Sequence, residues 1–218
     1  MKVSVDSAIH LIHEAGYGAL ATHSLHLPGF PYATILPFVP DENHNLLFFI
    51  SRLAEHTKNL MADARASFLV ALPDGEDVLA GPRITLAGEA RQAEPSTESM
   101  ARFFRYHPEM RQLAGFGDFA FFRMTPLRLR LIAGFGQAGW LEGAAWQVAA
   151  PLSPVRENAM LDELERQAWG GRRVLGLDCY GADVGLGEKR LRLRFPGAPL
   201  APEAILPMVK GLLESGGG

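Results

Sequence analysis

A single cysteine, Cys179, is all the thiol chemistry this 218-residue chain carries. That excludes an internal disulfide and any metal centre built from several thiolates. An excess of charge is missing too. Twenty-one Lys and Arg against 24 Asp and Glu leave a formal net charge of -3, which gives no electrostatic footprint for nucleic acid. No apolar run approaches the roughly 20 residues that a membrane-spanning helix needs. The opening residues 1–6 lead into an amphipathic pattern broken by His10, His13 and Glu14, without the apolar core of a secretory signal. The expectation is a cytoplasmic globular protein with neither a nucleic-acid nor a membrane partner. Hydrolase and metal signatures are absent as well. No serine lies in a G-x-S-x-G context. The pairs His10/His13 and His23/His26 lack both the H-E-x-x-H pattern and a third ligand, so they read as isolated surface or half-buried side chains and no metal is expected.

What the chain does have is an ordinary globular composition, 48% hydrophobic and 21% charged, and a pattern that changes period early. Ser4 or Asp6 can cap a first helix with Ile9, Ile12 and Ala15 on one face. Residues 19–24, 32–39 and 46–50 then read as a three-stranded meander, and residues 66–72 and 83–90 as further strands. Pro95-Ser96 opens a helix to about Tyr106. Residues 119–124 and 127–133 read as two more strands. Six or seven strands with few helices suggest a closed barrel, because closure removes exposed sheet edges. An Ala/Gly-rich stretch at 142–154, ending in prolines, places a boundary between a first domain, residues 1–145, and a small αβ domain, residues 155–218. In the second domain residues 155–169 read as a helix, 174–180 as a strand, 181–187 as a glycine-rich turn, 191–195 as a strand and 202–213 as a helix. The alternation of Arg190, Arg192 and Arg194 with Leu191, Leu193 and Phe195 assigns the arginines to the wet face of a small sheet.

The densest polar chemistry follows the apolar run 46–50. Ser51, Arg52, His56, Thr57, Lys58 and Asn59 combine hydroxyl and amide donors with cations where a helix begins, a setting that favours anions. Arg83 and Thr85 share a face of the strand entered through Pro82, and a common cleft with His56 would add a fixed cation and a hydroxyl. Gly134-Phe135-Gly136-Gln137-Ala138-Gly139 matches a dinucleotide fingerprint, but it follows apparent hairpins instead of opening a helix in a βαβ unit. It reads as a tight turn with Phe135 and Trp140 as walls for a flat ligand.

Residues 21–24, 32–34, 51–60, 82–89, 116–119 and 134–136 together resemble the pyridoxamine 5'-phosphate oxidase-like split-barrel proteins, and within them the haem-utilisation branch. The resemblance covers roughly residues 5–141. It implies an α+β, mainly β fold: a six-stranded antiparallel split barrel with flanking helices, here followed by the small αβ domain. It also implies FMN bound at a homodimer interface that both subunits line. Ala33, Thr34, Ile35 and Leu36 would meet the flavin ring, Phe49, Ile50 and Ser51 would lie along ring and ribityl chain, and Arg83 and Thr85 would meet its edge. His56 stands where the oxidase has a phosphate-binding lysine, with Arg52, Thr57 and Asn59 beside it. In the haem branch an axial histidine is expected from the C-terminal region, yet all seven histidines lie at or before His107. The readings left open are an FMN-dependent oxidoreductase acting on a small molecule, a haem-binding or haem-degrading protein, and a cofactor-free binding dimer.

Overall fold

The computed structural model describes residues 3–72, 80–134, 136–187 and 189–215. Phe135 lies outside the described residues. Helix α1 (Val5–Glu14) begins where the Ser4 side chain accepts a hydrogen bond from Ser7 N–H, and its apolar face buries Ile9, Leu11 and Ile12. The chain continues through β1 (Tyr17–His23), β2 (Pro31–Pro37), β3 (Val39–Pro40), β4 (Leu46–Ser51), α2 (Glu55–Ala62), β5 (Arg65–Ala71) and β6 (Arg83–Gln92). Next come α3 (Thr97–Tyr106), capped by Ser96, a 3-10 stretch (Pro108–Gly115), β7 (Phe119–Ile132) and β8 (Ala138–Glu142). The final elements are α4 (Gly143–Gln147), α5 (Pro154–Leu164), β9 (Arg172–Asp178), β10 (Gly181–Leu186), β11 (Lys189–Arg194) and α6 (Pro202–Glu214).

The first sheet is antiparallel, in the order β2-β1-β5-β6-β7-β4-β3, with β8 added to β7. It curls into a half-open barrel whose six long strands are β1, β2, β4, β5, β6 and β7, as a split barrel requires. Leu20, Phe48, Phe68, Leu86 and Phe122 fill its interior. The second sheet, β11-β10-β9, is a separate antiparallel unit accompanied by α5 and α6. One buried apolar cluster runs from the barrel interior through Trp146 and Leu161 to Val184, Ile205 and Val209. A second cluster joins Phe49, Phe103, Tyr106 and Phe121 on the other side of the sheet.

Four expectations about the elements are corrected. The meander is only a hairpin: β2 pairs with β1, whereas β4 pairs with β7 and β3. The two strands expected over 119–133 are one 14-residue strand. Its first half pairs with β4, its second with β8, and β6 runs along both. Pro126 is tolerated mid-strand because the ladder shifts register opposite it, between Ala87 and Gly88. A Cβ on Gly88 would stand 2.1 Å from the Thr125 carbonyl oxygen. The helix after the boundary ends at Leu164, five residues short of Trp169. The glycine-rich stretch 181–187 is mostly the central strand β10, not a turn. Gly181 is required there, since its Cβ would sit 2.4 Å from the Leu193 carbonyl oxygen.

Candidate functional site

The split barrel presents two chemically distinct regions, its outer sheet face and the polar start of α2. On the outer face, the register aligns Ile35 (β2), Ala19 (β1), Leu69 (β5), Thr85 (β6), Arg130 (β7) and Trp140 (β8) in a single cross-strand row. Ala33, Ala21, Ser67, Ala87 and Arg128 form the parallel row two residues on. These are the positions that alternate with inward Leu20, Phe68 and Leu86, so they point away from the core. Ile35 is 74% exposed and Trp140 52% exposed, a large apolar commitment for residues with no covering element. The guanidinium carbons of Arg128 and Arg130 lie 4.7 Å and 5.5 Å from the centroid of the Trp140 ring, within cation–π range. His23 ends β1 with an exposed side chain on this same face. Beside it Ala21, Ser67, Ala87 and Gly88 leave a shallow hollow of about 320 Å³.

The start of α2 is built differently. Ser51 Oγ donates to Asp118 Oδ2 at 2.7 Å and accepts from Leu53 N–H. Thr57 Oγ1 donates to the Ser51 carbonyl at 2.6 Å. Asn59 is fully buried, its Nδ2 donating to Thr22 Oγ1 and its Oδ1 accepting from Leu25 N–H. These donors therefore hold the segment 51–60 against β1 and β7. His56 is 9% exposed, and its Nε2 is buried without a hydrogen-bond partner. Burial pushes its pKa below the ordinary histidine value, so the imidazole is uncharged at neutral pH. Arg52 and Lys58 line an adjoining cleft of about 410 Å³ with Thr57, Met61, Gln92 and Phe122.

The sequence-derived site residues thus separate into groups. Ala33, Ile35, Thr85 and Arg83 belong to the outer face, with Thr34 half-buried and Leu36 turned into the core. Ser51, Arg52, His56, Thr57 and Asn59 gather at α2. Phe49 lies inside the second apolar cluster, 4.6 Å from the Phe121 ring centroid, and Ile50 lies inside the first. Arg83 and the α2 cleft are at opposite ends of β6, because Gln92 lines the cleft and nine residues of strand, about 30 Å, intervene. One protomer does not bring His56 and Arg83 together. Gly134 and Gly136 lie between the paired strands β7 and β8, at φ 132° and φ 74°.

A buried ionic cluster was not anticipated. Arg192 has no exposed side-chain surface and pairs with Asp178 at 2.7 Å and Asp183 at 3.0 Å. His13, also fully buried, bridges Asp183 Oδ2 at 3.0 Å and His44 Nδ1 at 3.2 Å. Tyr106 donates to Asp183, and Arg102 donates to Tyr106 while pairing with Glu157. The arginine row of β11 accordingly faces α1, with Arg190 on the Ala15 carbonyl, Arg192 buried and Arg194, 48% exposed, paired with Glu14, while Leu191 on the other face is 44% exposed. His13 is likewise no surface histidine. The available signal was Asp178 and Asp183 inside the apolar stretch 174–184, since carboxylates there must be paired. Burial opposes ionisation of both, but Arg192 and then His13 hold them well below the usual carboxylate range. Among the described residues, no three His, Cys, Asp or Glu side chains converge as a metal cage.

The curled antiparallel sheet, with its exposed outer face and α2 at the end of β4, defines a split β-barrel protein. A family model described as the CREG β-barrel matches residues 1–147, and the chain belongs to that family. It is 34% identical over 148 residues to the chloroplastic non-canonical haem oxygenase HOZ of Arabidopsis thaliana, covering 65% of this chain and 45% of that protein. The chain therefore spans less than half the length of this relative. Among solved structures, a protein of unknown function from Agrobacterium tumefaciens superposes with a TM-score of 0.75 at 20% identity, covering 97% of this chain and 94% of its own. A haem-binding protein from Mycobacterium smegmatis gives a TM-score of 0.62 at 22% identity, with 99% of both chains covered. These two show that the fold, including the second sheet, recurs. No helix of the described residues is long and apolar enough to cross a membrane.

Proposed function

We propose that the protein binds haem across the outer face of its barrel, where two copies of the chain meet as a homodimer, and that it serves haem utilisation as an oxidoreductase. The observation that carries this reading is the row from Ile35 to Trp140. It is apolar over β2, β1 and β5, where it consists of Ile35, Ala19 and Leu69, and cationic and aromatic where it reaches β7 and β8. A flat macrocycle needs apolar contact for its rings and cations for its propionates. His23 offers that face an imidazole, the kind of axial ligand that haem iron takes. When bound, haem would supply the iron chemistry, while the chain's own residues bind it, orient it and exclude water. The name of the Arabidopsis relative supports the same cofactor, and degradation of haem is part of the proposal.

FMN is the second reading, and the cleft carrying Arg52 and Lys58 favours it. Against it stands the phosphate position. His56 is held uncharged, and Ser51, Thr57 and Asn59 already spend their hydrogen bonds inside the chain. A phosphate dianion would meet no preformed cradle there.

Absorption titrations with haem and, separately, FMN test the two. Haem is expected to give a Soret band that shifts or weakens in His23→Ala. Flavin bands that co-elute with the protein and vanish in a folded His56→Ala/Arg83→Ala double variant, with no response to haem, would replace the haem reading by the FMN one.

A further inference from the structure

A second cleft, of about 440 Å³, opens between the end of α3, the start of β1 and the small sheet. It lies at the Tyr17 end of β1, and shares no lining residue with the hollow beside His23 or the cleft at α2. Four cations line it: Arg105, Arg173, Lys189 and Arg190. Of the two carboxylates among the described lining residues, Glu14 pairs with Arg194, and Glu109, largely exposed, lies 3.3 Å from His107 at the edge of the cleft. Arg173 and Lys189 make no side-chain hydrogen bond or ion pair among the described residues. Arg105 donates to the Leu175 carbonyl and to Asn158. Its Nη2 is buried, makes no hydrogen bond, and lies 3.4 Å from a Glu157 oxygen already paired with Arg102. Burial pulls the Arg105 pKa down, against the opposing effect of Glu157.

The backbone register explains the opening. Gly185 on β10 pairs with Arg173 on β9 and with Arg190 on β11. Neighbouring strands are about 4.8 Å apart, so two arginines flank a position with no side chain. Neither backbone nor packing demands glycine there. Gly185 is not in the left-handed region, and a Cβ would meet only Leu175, at an ordinary 3.5 Å. Arg190 is fixed by its bond to the Ala15 carbonyl at 2.8 Å and by stacking over the Tyr106 ring at 4.7 Å. The two arginines stand two strand spacings apart on one sheet face, with room for a group of opposite sign between them.

We propose that this cleft is an anion site for a phosphate-bearing small molecule, with the phosphate between Arg173 and Arg190, Lys189 at the rim, and the remainder against the exposed Tyr17 ring. Arginine and lysine approaching from two outer strands supply donors from several directions, which suits a tetrahedral dianion. Pyrophosphate is the probe, added to the full chain at low ionic strength and followed by calorimetry.

The wild type is expected to bind, and Arg173→Ala/Lys189→Ala to bind roughly tenfold more weakly or worse. Both side chains are exposed or unpaired, so the melting temperature of that variant without ligand should stay near wild type. Arg128→Ala/Arg130→Ala, which removes two cations from the barrel's outer face, should leave pyrophosphate affinity unchanged. Equal affinity in wild type and the Arg173/Lys189 variant, equal loss in the Arg128/Arg130 variant, or no binding at all would overturn the proposal.

Discussion

Asp178, Asp183, Arg192 and His13 join the second sheet to α1 through charges that water does not reach. Removing one member leaves its partners buried and uncompensated, an effect of about 3–5 kcal/mol in comparable settings. Asp183→Asn should therefore lower stability by about that amount, read as a shift in the urea unfolding midpoint at constant slope. The histidines make the same region pH-sensitive. Burial, reinforced by Arg192 and Arg194, lowers the His10 pKa to about 4, and burial with His13 and Arg192 lowers that of His44 to about 3. Unfolded histidines titrate near 6.5. Between about 6.5 and those lower values the unfolded chain binds more protons, so stability falls as pH drops through that window. The depressed Asp178 and Asp183 act in the same direction lower down. Their contribution is complete above the unfolded carboxylate value of about 3.9 and fades as pH falls below it. Thermal melts should be level above about pH 7 and decline steadily towards pH 3. His44 has φ 60°, a conformation that asparagine accepts, so His44→Asn should make the decline shallower. A pH profile parallel to wild type would contradict the assignment to His44.

At the level of elements, Gly88 and Pro126 set how the barrel bends. Gly88→Ala would drive a methyl group into the Thr125 carbonyl, and overpacking of this kind costs typically ~1–3 kcal/mol. The variant should unfold at correspondingly lower denaturant. A milder test is Ser96→Ala, which removes the cap on α3 and should cost about 1 kcal/mol. The same elements show what the sequence made legible. Helices announced by a cap and a periodic face, such as α1 and α3, start where Ser4 and Ser96 say they do. The nearly continuous apolar run of β5 and the alternating pattern of β6 were equally readable. The failures lie where tertiary partners override a local signal. Pro126 looked like a break because its compensation, Gly88, is 38 residues away. Gly181 and Gly185 looked like a turn, yet both are strand residues, and the close approach that calls for glycine at Gly181 comes from the neighbouring strand β11. The arginines of β11 looked wet because Asp178 and Asp183 sit on the two strands beside them.

For the whole molecule, the candidate site was legible as a set of residue types and not as an arrangement. The outer-face members Ala33, Ile35, Arg83 and Thr85 emerged from the family resemblance, whereas Trp140 with Arg128 and Arg130 became a unit only through the β7–β8 register. The polar segment 51–60 was found, but its donors turn inward to hold α2 in place. An outer face carrying Ile35 at 74% exposure is coherent if a second copy covers it and haem lies in the junction. Ile35→Glu would place a carboxylate in that apolar junction without a partner, yet the position faces away from the protomer's own core. Sedimentation velocity, recorded at the Soret wavelength and in the ultraviolet for haem-loaded wild type and Ile35→Glu, tests dimer and cofactor together. The wild type should sediment as a dimer with haem moving at the same rate, and Ile35→Glu as a folded monomer that leaves the haem behind. A monomeric wild type, or haem that travels equally with both proteins, would contradict the account.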